Sequence, residues 1–418
     1  MAFQSIWADT APAAPTSTPL KESLRCDVLV IGGGFQGLSA ALHLAEAGTD
    51  VVLLEAQEPG FGASGRNGGQ VIPGLKDDPD TLDRLWGPEA TAFAGETADT
   101  LFALVARLGI ACDAVQSGWI QAGNRQVHLP VLQARMRQWQ ARGVAADWLD
   151  AEAMARVTGA RGFLGGWRDP RAGRIHPIKL ARGLAQAAEA AGARIFGQTP
   201  VARLVPSGGY WQARLPGGAQ VTAERAILAS NVYTPASLEP RLARATVQAN
   251  SFQVATAPLS AEQLARILPG GEVVSEARRV GTYFRIGPQN RLMLGGRGSF
   301  ADPRDADAFA RIEAELAKLF EARFEITQRW FGRVGMTPDH RIRLCIPAAG
   351  LLAATGFNGR GVALSVSLGK VMAAHFTKGT PLPIPPSPTI PTLPFHALQR
   401  LYGGLGIQYY RLRDALDR

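Results

Sequence analysis

A chain of 418 residues has room for two or three lobes with a substantial core, which excludes a small module stapled by disulfides. Its 46% hydrophobic and 19% charged residues exclude a disordered or fibrous chain. The 44 basic residues against 35 acidic ones leave a net charge of +9, but no run of five like charges occurs, so no nucleic-acid partner is expected. The cysteines Cys26, Cys112 and Cys345 lie far apart and without metal-ligand spacing, so neither a disulfide framework nor a metal site is expected. The first residues carry no charged and then apolar leader pattern, and no stretch reaches the length of a spanning helix. The expectation is a cytoplasmic protein.

In chain order, residues 1–23 are expected to be an extended arm, rich in Ala, Pro, Thr and Ser from residue 8 and anchored by Trp7. Residues 26–31 read as a buried parallel strand. A glycine-rich turn follows, then a helix with Leu38, Ala41, Leu42 and Ala45 on one face, ended by Gly48. Residues 50–54 form the next apolar strand, completing a strand–helix–strand unit. Residues 80–149 are mostly helical, with a strand-like piece at 116–122, and read as an insertion. A helix at 177–191, a strand at 193–196, a meander at 210–215 and 220–222, and a strand at 225–229 return the chain to an α/β body.

Strands at 251–255, 281–286 and 291–295, a helix at 261–267 and a long helix at 305–320 leave that body again. The strand at 351–355 and a helix to about Thr377 return to it. Residues 381–394 hold seven prolines in fourteen positions, a stiff extended strap. From His396, residues Leu401, Leu405, Tyr409, Leu412 and Leu416 share one helical face, with Arg400, Arg411 and Arg413 nearby. That face either packs on the body or touches a membrane surface.

Three glycine-rich segments carry the chemistry. Gly32, Gly34 and Gly37 sit between a strand and a helix, where such spacing lets backbone approach a pyrophosphate at a helix N-terminus. Glu55, at the end of the second strand, is placed to accept hydrogen bonds from an adenosine ribose. A second loop, residues 60–70, holds Ala63, Ser64, Arg66, Asn67, Gly68, Gly69 and Gln70 and suits backbone lying against a flat ring. The third, Gly356 to Gly361, again aims a helix N-terminus at a ligand; for a flavin, that positive end would favour the anionic reduced form.

On these segments, together with GRIHPIKLARGLAQAAEAAGARIF, residues 26 to about 376 resemble the D-amino-acid-oxidase-type FAD-dependent amine and amino-acid oxidoreductases, most closely the γ-glutamylputrescine oxidase branch. The resemblance implies an α/β fold, α+β overall: a Rossmann-like FAD-binding domain of discontinuous segments (24–95, 160–240, 326–380) and a substrate domain with an antiparallel sheet (96–159, 241–325), followed by the strap and helix of 381–418. It implies FAD contacts from Gly32, Gly34, Phe35, Gln36 and Gly37, from Glu55 and Ala56, from the loop residues just named, from Val201, and from Gly356, Asn358, Gly359, Arg360, Gly361 and Val362.

It also implies hydride transfer from a C–H beside an amine nitrogen to flavin N5. The imine then hydrolyses, and O2 reoxidises the flavin with release of hydrogen peroxide. No Cys or His stands at the relatives' attachment positions, so FAD is expected to be non-covalent. The substrate is expected to be a γ-glutamyl polyamine. The alternatives are an amino-acid oxidase or dehydrogenase feeding a quinone, or a non-catalytic FAD-binding protein.

The resemblance places His176 near the active site, where it is either catalytic or a packed cap at a helix start. Tyr283 and Arg285 alternate on one strand face toward the flavin. Arg285 could clamp a substrate carboxylate or serve an ion pair at the domain boundary. Trp330 and Phe252 either line an apolar part of the pocket or belong to the core. Met293 aligns with a flavin-side lysine of the sarcosine oxidase relatives, leaving oxidase or dehydrogenase behaviour open. Oligomeric state is not legible.

Overall fold

The computed structural model describes residues 3–14 and 17–416. Leu24–Ile31 is the centre of the first sheet. Val28 and Val30 meet the helices on one face, while Leu29 and Ile31 meet the meander on the other, so a continuous apolar run is needed. The strand order is Arg343–Ala348, Leu351–Thr355, Gln220–Leu228, Leu24–Ile31, Val51–Leu54, Arg194–Phe196. All pairs are parallel except the first, and Val28 stands opposite both Arg225 and Val51. A hairpin, Arg203–Ser207 and Tyr210–Arg214, extends antiparallel from Gln220–Leu228.

Helices Phe35–Glu46, Pro177–Ala190 and Gly361–Lys378 cover the other face. They are joined there by Pro88–Leu108, whose Ala98, Leu101 and Val105 enter the same core. This helix was expected to lie mostly in the substrate domain. Its small, apolar face fits against the first domain instead, so the insertion begins after it.

The second sheet runs Ile326–Met336, Val247–Pro258, Arg291–Arg297, Thr282–Ile286, Val273–Glu276, Trp119–Gly123, Gly165–Asp169, Asp147–Asp150. Every pair is antiparallel except Val273–Glu276 with Trp119–Gly123. Two segments expected in the first domain therefore belong here. Ile326–Met336 pairs along almost all of Val247–Pro258, and Gly165–Asp169 bridges two strands of the insertion.

The N-terminal arm is not wholly extended. Ile6–Thr10 forms a short helix, started by the Ser5 hydroxyl accepting from the Ala8 N–H at 3.2 Å, and Ile6 and Trp7 are fully buried. The proline-rich strap has no regular structure and is tied down by Ser387 N–H to Leu344 O (2.7 Å) and Leu393 N–H to Arg244 O (2.8 Å). Gln399–Leu416 packs through Ile407 and Asp414, and Asp414 accepts from the Val280 N–H at 3.0 Å. The stripe from Leu401 to Leu416 faces outward, Leu416 being 66% exposed, so it is not the packing face. No helix among the described residues is long and apolar enough to cross a membrane.

Candidate active site

Between the two sheets lies a cleft of about 680 Å³. It begins at the turn after the central strand, where Gly32 holds φ +112° and a Cβ on Gly37 would strike the Gly32 carbonyl, so the helix docks directly on the turn. Gly32, Gly34, Phe35 and Gln36 line it. The Phe35 N–H donates to Ser64 Oγ (3.0 Å), which ties the second glycine loop to the first. Glu55 accepts from the Gly33 N–H (2.6 Å) and the Gln57 N–H (2.9 Å), and burial raises its pKa above the ordinary carboxylate value.

Ala56, Ala63, Arg66, Asn67, Gly68, Gln70 and Val201 continue the lining, and Asn358, Gly359, Arg360, Gly361 and Val362 close it. Three expected contacts stand behind the wall. Gly37 is the helix–strand contact, Gly69 accepts from the Ile175 N–H at 2.9 Å, and Gly356 donates to Asn231 Oδ1 at 3.2 Å. Asn358 is fixed by accepting from the Thr337 N–H at 2.8 Å.

Arg285, the expected carboxylate clamp, does not line the cleft. Its Nη1 donates to the carbonyls of Gly69 (2.8 Å), Ile175 (2.8 Å) and Gly68 (3.4 Å), and its guanidinium lies 5.4 Å over the Trp7 ring. The side chain faces the boundary as its strand position requires, but the loop carbonyls take it before it reaches the cleft. Burial pushes its pKa down to about 9.

His176 caps the helix that begins at Pro177. It is buried, its Nδ1 accepts from the Lys179 N–H (3.3 Å), its Nε2 lies 3.0 Å from Thr10 Oγ1, and it does not line the cleft. Burial lowers its pKa to about 4.

Trp330 and Phe252 are core residues. Trp330 Nε1 donates to Arg66 O (3.1 Å), and Phe252 stacks on Phe309 at 4.7 Å. Met293 is also off the cleft, packed with Ile6, Trp7, Ala255 and Trp330.

Tyr283 does line the cleft, with its hydroxyl 2.8 Å from Ser251 Oγ, and burial raises its pKa to about 12. Beside it the structure adds cations that the sequence reading missed. Lys76 and Arg297 project into the cleft, and neither has a carboxylate partner among the described residues. Arg360 also faces the cleft, 4.5 Å over the Trp119 ring, and its Nη1 donates to Pro73 O at 3.3 Å.

The cleft walls around it, with Arg360, Arg135 and Arg297 nearby, lower the Lys76 pKa although its side chain stays exposed to the cleft, and a bound carboxylate would raise it again. The acids of the lining are already engaged: Glu55 by backbone N–H groups and Glu276 by Arg278 and the Thr282 N–H. The one signal for Lys76 in the sequence was its place just after the second glycine loop, in a chain with six lysines.

A family model described as DAO, FAD dependent oxidoreductase, matches residues 27–375. The chain belongs to this DAO family. It is 32% identical over 414 residues to the gamma-glutamylputrescine oxidoreductase of Escherichia coli (strain K12), covering 96% of each chain. It is 33% identical over 429 residues to the probable oxidoreductase OrdL of Rhizobium meliloti (strain 1021), covering 97% of this chain and 96% of that one.

Among solved structures, the glycine oxidase from Geobacillus kaustophilus superposes with a TM-score of 0.73 at 22% identity, over 86% of this chain and 96% of that one. The L-proline dehydrogenase from P. horikoshii does so with 0.74 at 17%, over 87% and 95%. These likenesses show the DAO fold. The chain is thus an FAD-dependent oxidoreductase, and its cleft fits the group: a glycine turn against a helix start, an acid at the end of the second strand, and a second helix start at Gly361.

Proposed function

We propose that this enzyme oxidises the C–H beside the nitrogen of a carboxylate-bearing amine, of the γ-glutamyl polyamine kind. Bound FAD supplies the hydride acceptor. The first glycine turn, Glu55 and the loop from Ala63 to Gln70 hold its nucleotide and ring, and Asn358 to Val362 present a helix start to the ring's far edge. Retention is non-covalent: Cys26, Cys112 and Cys345 are buried away from the cleft with thiol pKa values raised by burial. The imine leaves for hydrolysis in water, and O2 is the electron acceptor.

The observation that carries the substrate reading is that Lys76 and Arg297 face the cleft with no acidic partner among the described residues. A bare polyamine is cationic and would be repelled there, whereas a γ-glutamyl amine brings a carboxylate that both groups can bind. The similarity to the gamma-glutamylputrescine oxidoreductase supports the same class.

Lys76→Met and Arg297→Met are each expected to raise KM for carboxylate-bearing amines by about 30-fold or more, with kcat less affected. Equal losses for amines with and without a carboxylate would count against the assignment. Peroxide formed in step with aldehyde supports O2 as acceptor, and flavin reduction without peroxide would point to a quinone instead.

A further inference from the structure

A second cavity, of about 450 Å³, lies between the second sheet and the C-terminal helix, and Arg297 belongs to the walls of both spaces. Its lining contains four arginines, Arg297, Arg311, Arg400 and Arg411, and no aspartate or glutamate. Phe252 and Ile407 supply part of its apolar wall.

Two nearby acids, Glu315 and Asp414, are engaged elsewhere. Glu315, which acts on Arg311 electrostatically, is ion-paired with Arg278 at 3.3 Å, and Asp414 on the helix itself is held by Arg279 and two backbone N–H groups. Arg311 Nη2 donates to the Arg297 carbonyl at 2.5 Å, while the buried Nε of Arg411 has no hydrogen-bond partner among the described residues. Burial and the charge of Arg411 both lower the Arg311 pKa, the sign of like charges held close.

Arg297 turns its guanidinium to the cleft and its carbonyl to Arg311, which leaves Arg311, Arg400 and Arg411 as the cations of this space; their like charges repel each other, and each guanidinium is a planar fork that matches tetrahedral or planar oxyanions. A polyvalent oxyanion relieves that repulsion and satisfies several forks at once, whereas a neutral or cationic ligand does neither. We propose that this cavity is a binding site for a phosphate-class dianion. The helix bearing Arg400 and Arg411 also exposes Leu401, Leu405, Leu412 and Leu416, so a free phosphate and a phospholipid headgroup are both physically available sources.

The test uses the FAD-loaded protein in two arms, neither of which reads flavin reduction. In the first, inorganic phosphate is titrated at constant ionic strength while thermal unfolding is followed. In the second, the protein is sedimented with phosphatidylcholine vesicles made with and without phosphatidic acid.

The expected result is a saturable response in at least one arm: a rise in Tm with phosphate, or sedimentation that needs phosphatidic acid. Arg400→Gln and Arg411→Gln should each weaken that response about tenfold, the loss of one charge-assisted contact. Arg411→Lys, which keeps the charge and loses the fork, should fall between, and it guards against a Gln variant that fails to fold. A response only to phosphate assigns the free anion, and one only to phosphatidic acid assigns the headgroup. No response in either arm, or a response unchanged in the folded variants, overturns the proposal.

Discussion

A single carboxylate, that of Glu55, organises the glycine turn after the central strand. It holds the Gly33 N–H at 2.6 Å and the Gln57 N–H at 2.9 Å, so it links the glycine turn to the end of the second strand. Glu55→Ala should purify with less FAD and yet reduce normally once saturated with it; full FAD retention would remove Glu55 from the site.

His176 makes a different prediction, about pH. Its folded pKa of about 4 lies below the ordinary 6.5, so the unfolded chain binds more protons between those values. The neutral ring's contribution is complete above about pH 6.5 and is lost as pH falls toward 4, on the order of 3 kcal/mol across that window. His176→Gln should flatten the dependence of the urea midpoint on pH there, and an unchanged slope would deny the buried neutral ring.

At this scale the sequence was legible where backbone geometry dictates residue type, as at Gly32 and Glu55. It was not legible for Arg285, because strand alternation gives a side chain's direction but not which carbonyls intercept it. Lys76 belongs to no motif, and its role depends on a cleft assembled from distant segments.

Among the elements, the N-terminal helix Ile6–Thr10 and the loop of residues 60–70 act as one unit. Trp7 is fully buried, its Nε1 donates to Asn67 O at 2.8 Å, and its ring packs beside Arg285, His176 and Trp330. Trp7→Ala should cost about 3–5 kcal/mol of stability and speed FAD loss, because the cavity it leaves lies directly under that loop. Chemical denaturation and the rate of flavin release measure the two effects, and loss of stability with an unchanged release rate would separate the arm from the loop.

Arg285→Met leaves the Gly68, Gly69 and Ile175 carbonyls without their shared donor and should lower stability and FAD retention together. Its KM for carboxylate-bearing amines should change no more than that for simple amines once FAD is saturating. The elements of the first domain were visible in the sequence as apolar runs between glycine turns. Residues 326–336 were assigned to the first domain without a strand; the strand Ile326–Met336 pairs with Val247–Pro258 some eighty residues away, and pairing at that separation leaves no local pattern.

For the whole molecule, the central consequence of the fold is a cleft whose first-domain wall suits a dinucleotide and whose remaining cations suit an acid. Arg297 comes from the second sheet and Lys76 from the loop between Gln70–Val71 and Pro79–Trp86, so in the proposed reading substrate selection depends on segments far apart in the chain. The three glycine segments pointed to the family and its FAD, while which residues meet the substrate depends on how distant segments come together.

The most direct test is anaerobic titration of the FAD-loaded enzyme with γ-glutamylputrescine and, separately, with putrescine, following the flavin absorbance. The account predicts full bleaching by the γ-glutamyl amine and little by the free diamine at the same concentration, with the preference greatly reduced in Lys76→Met. Equal bleaching by both amines, or preferential bleaching by putrescine, would contradict it.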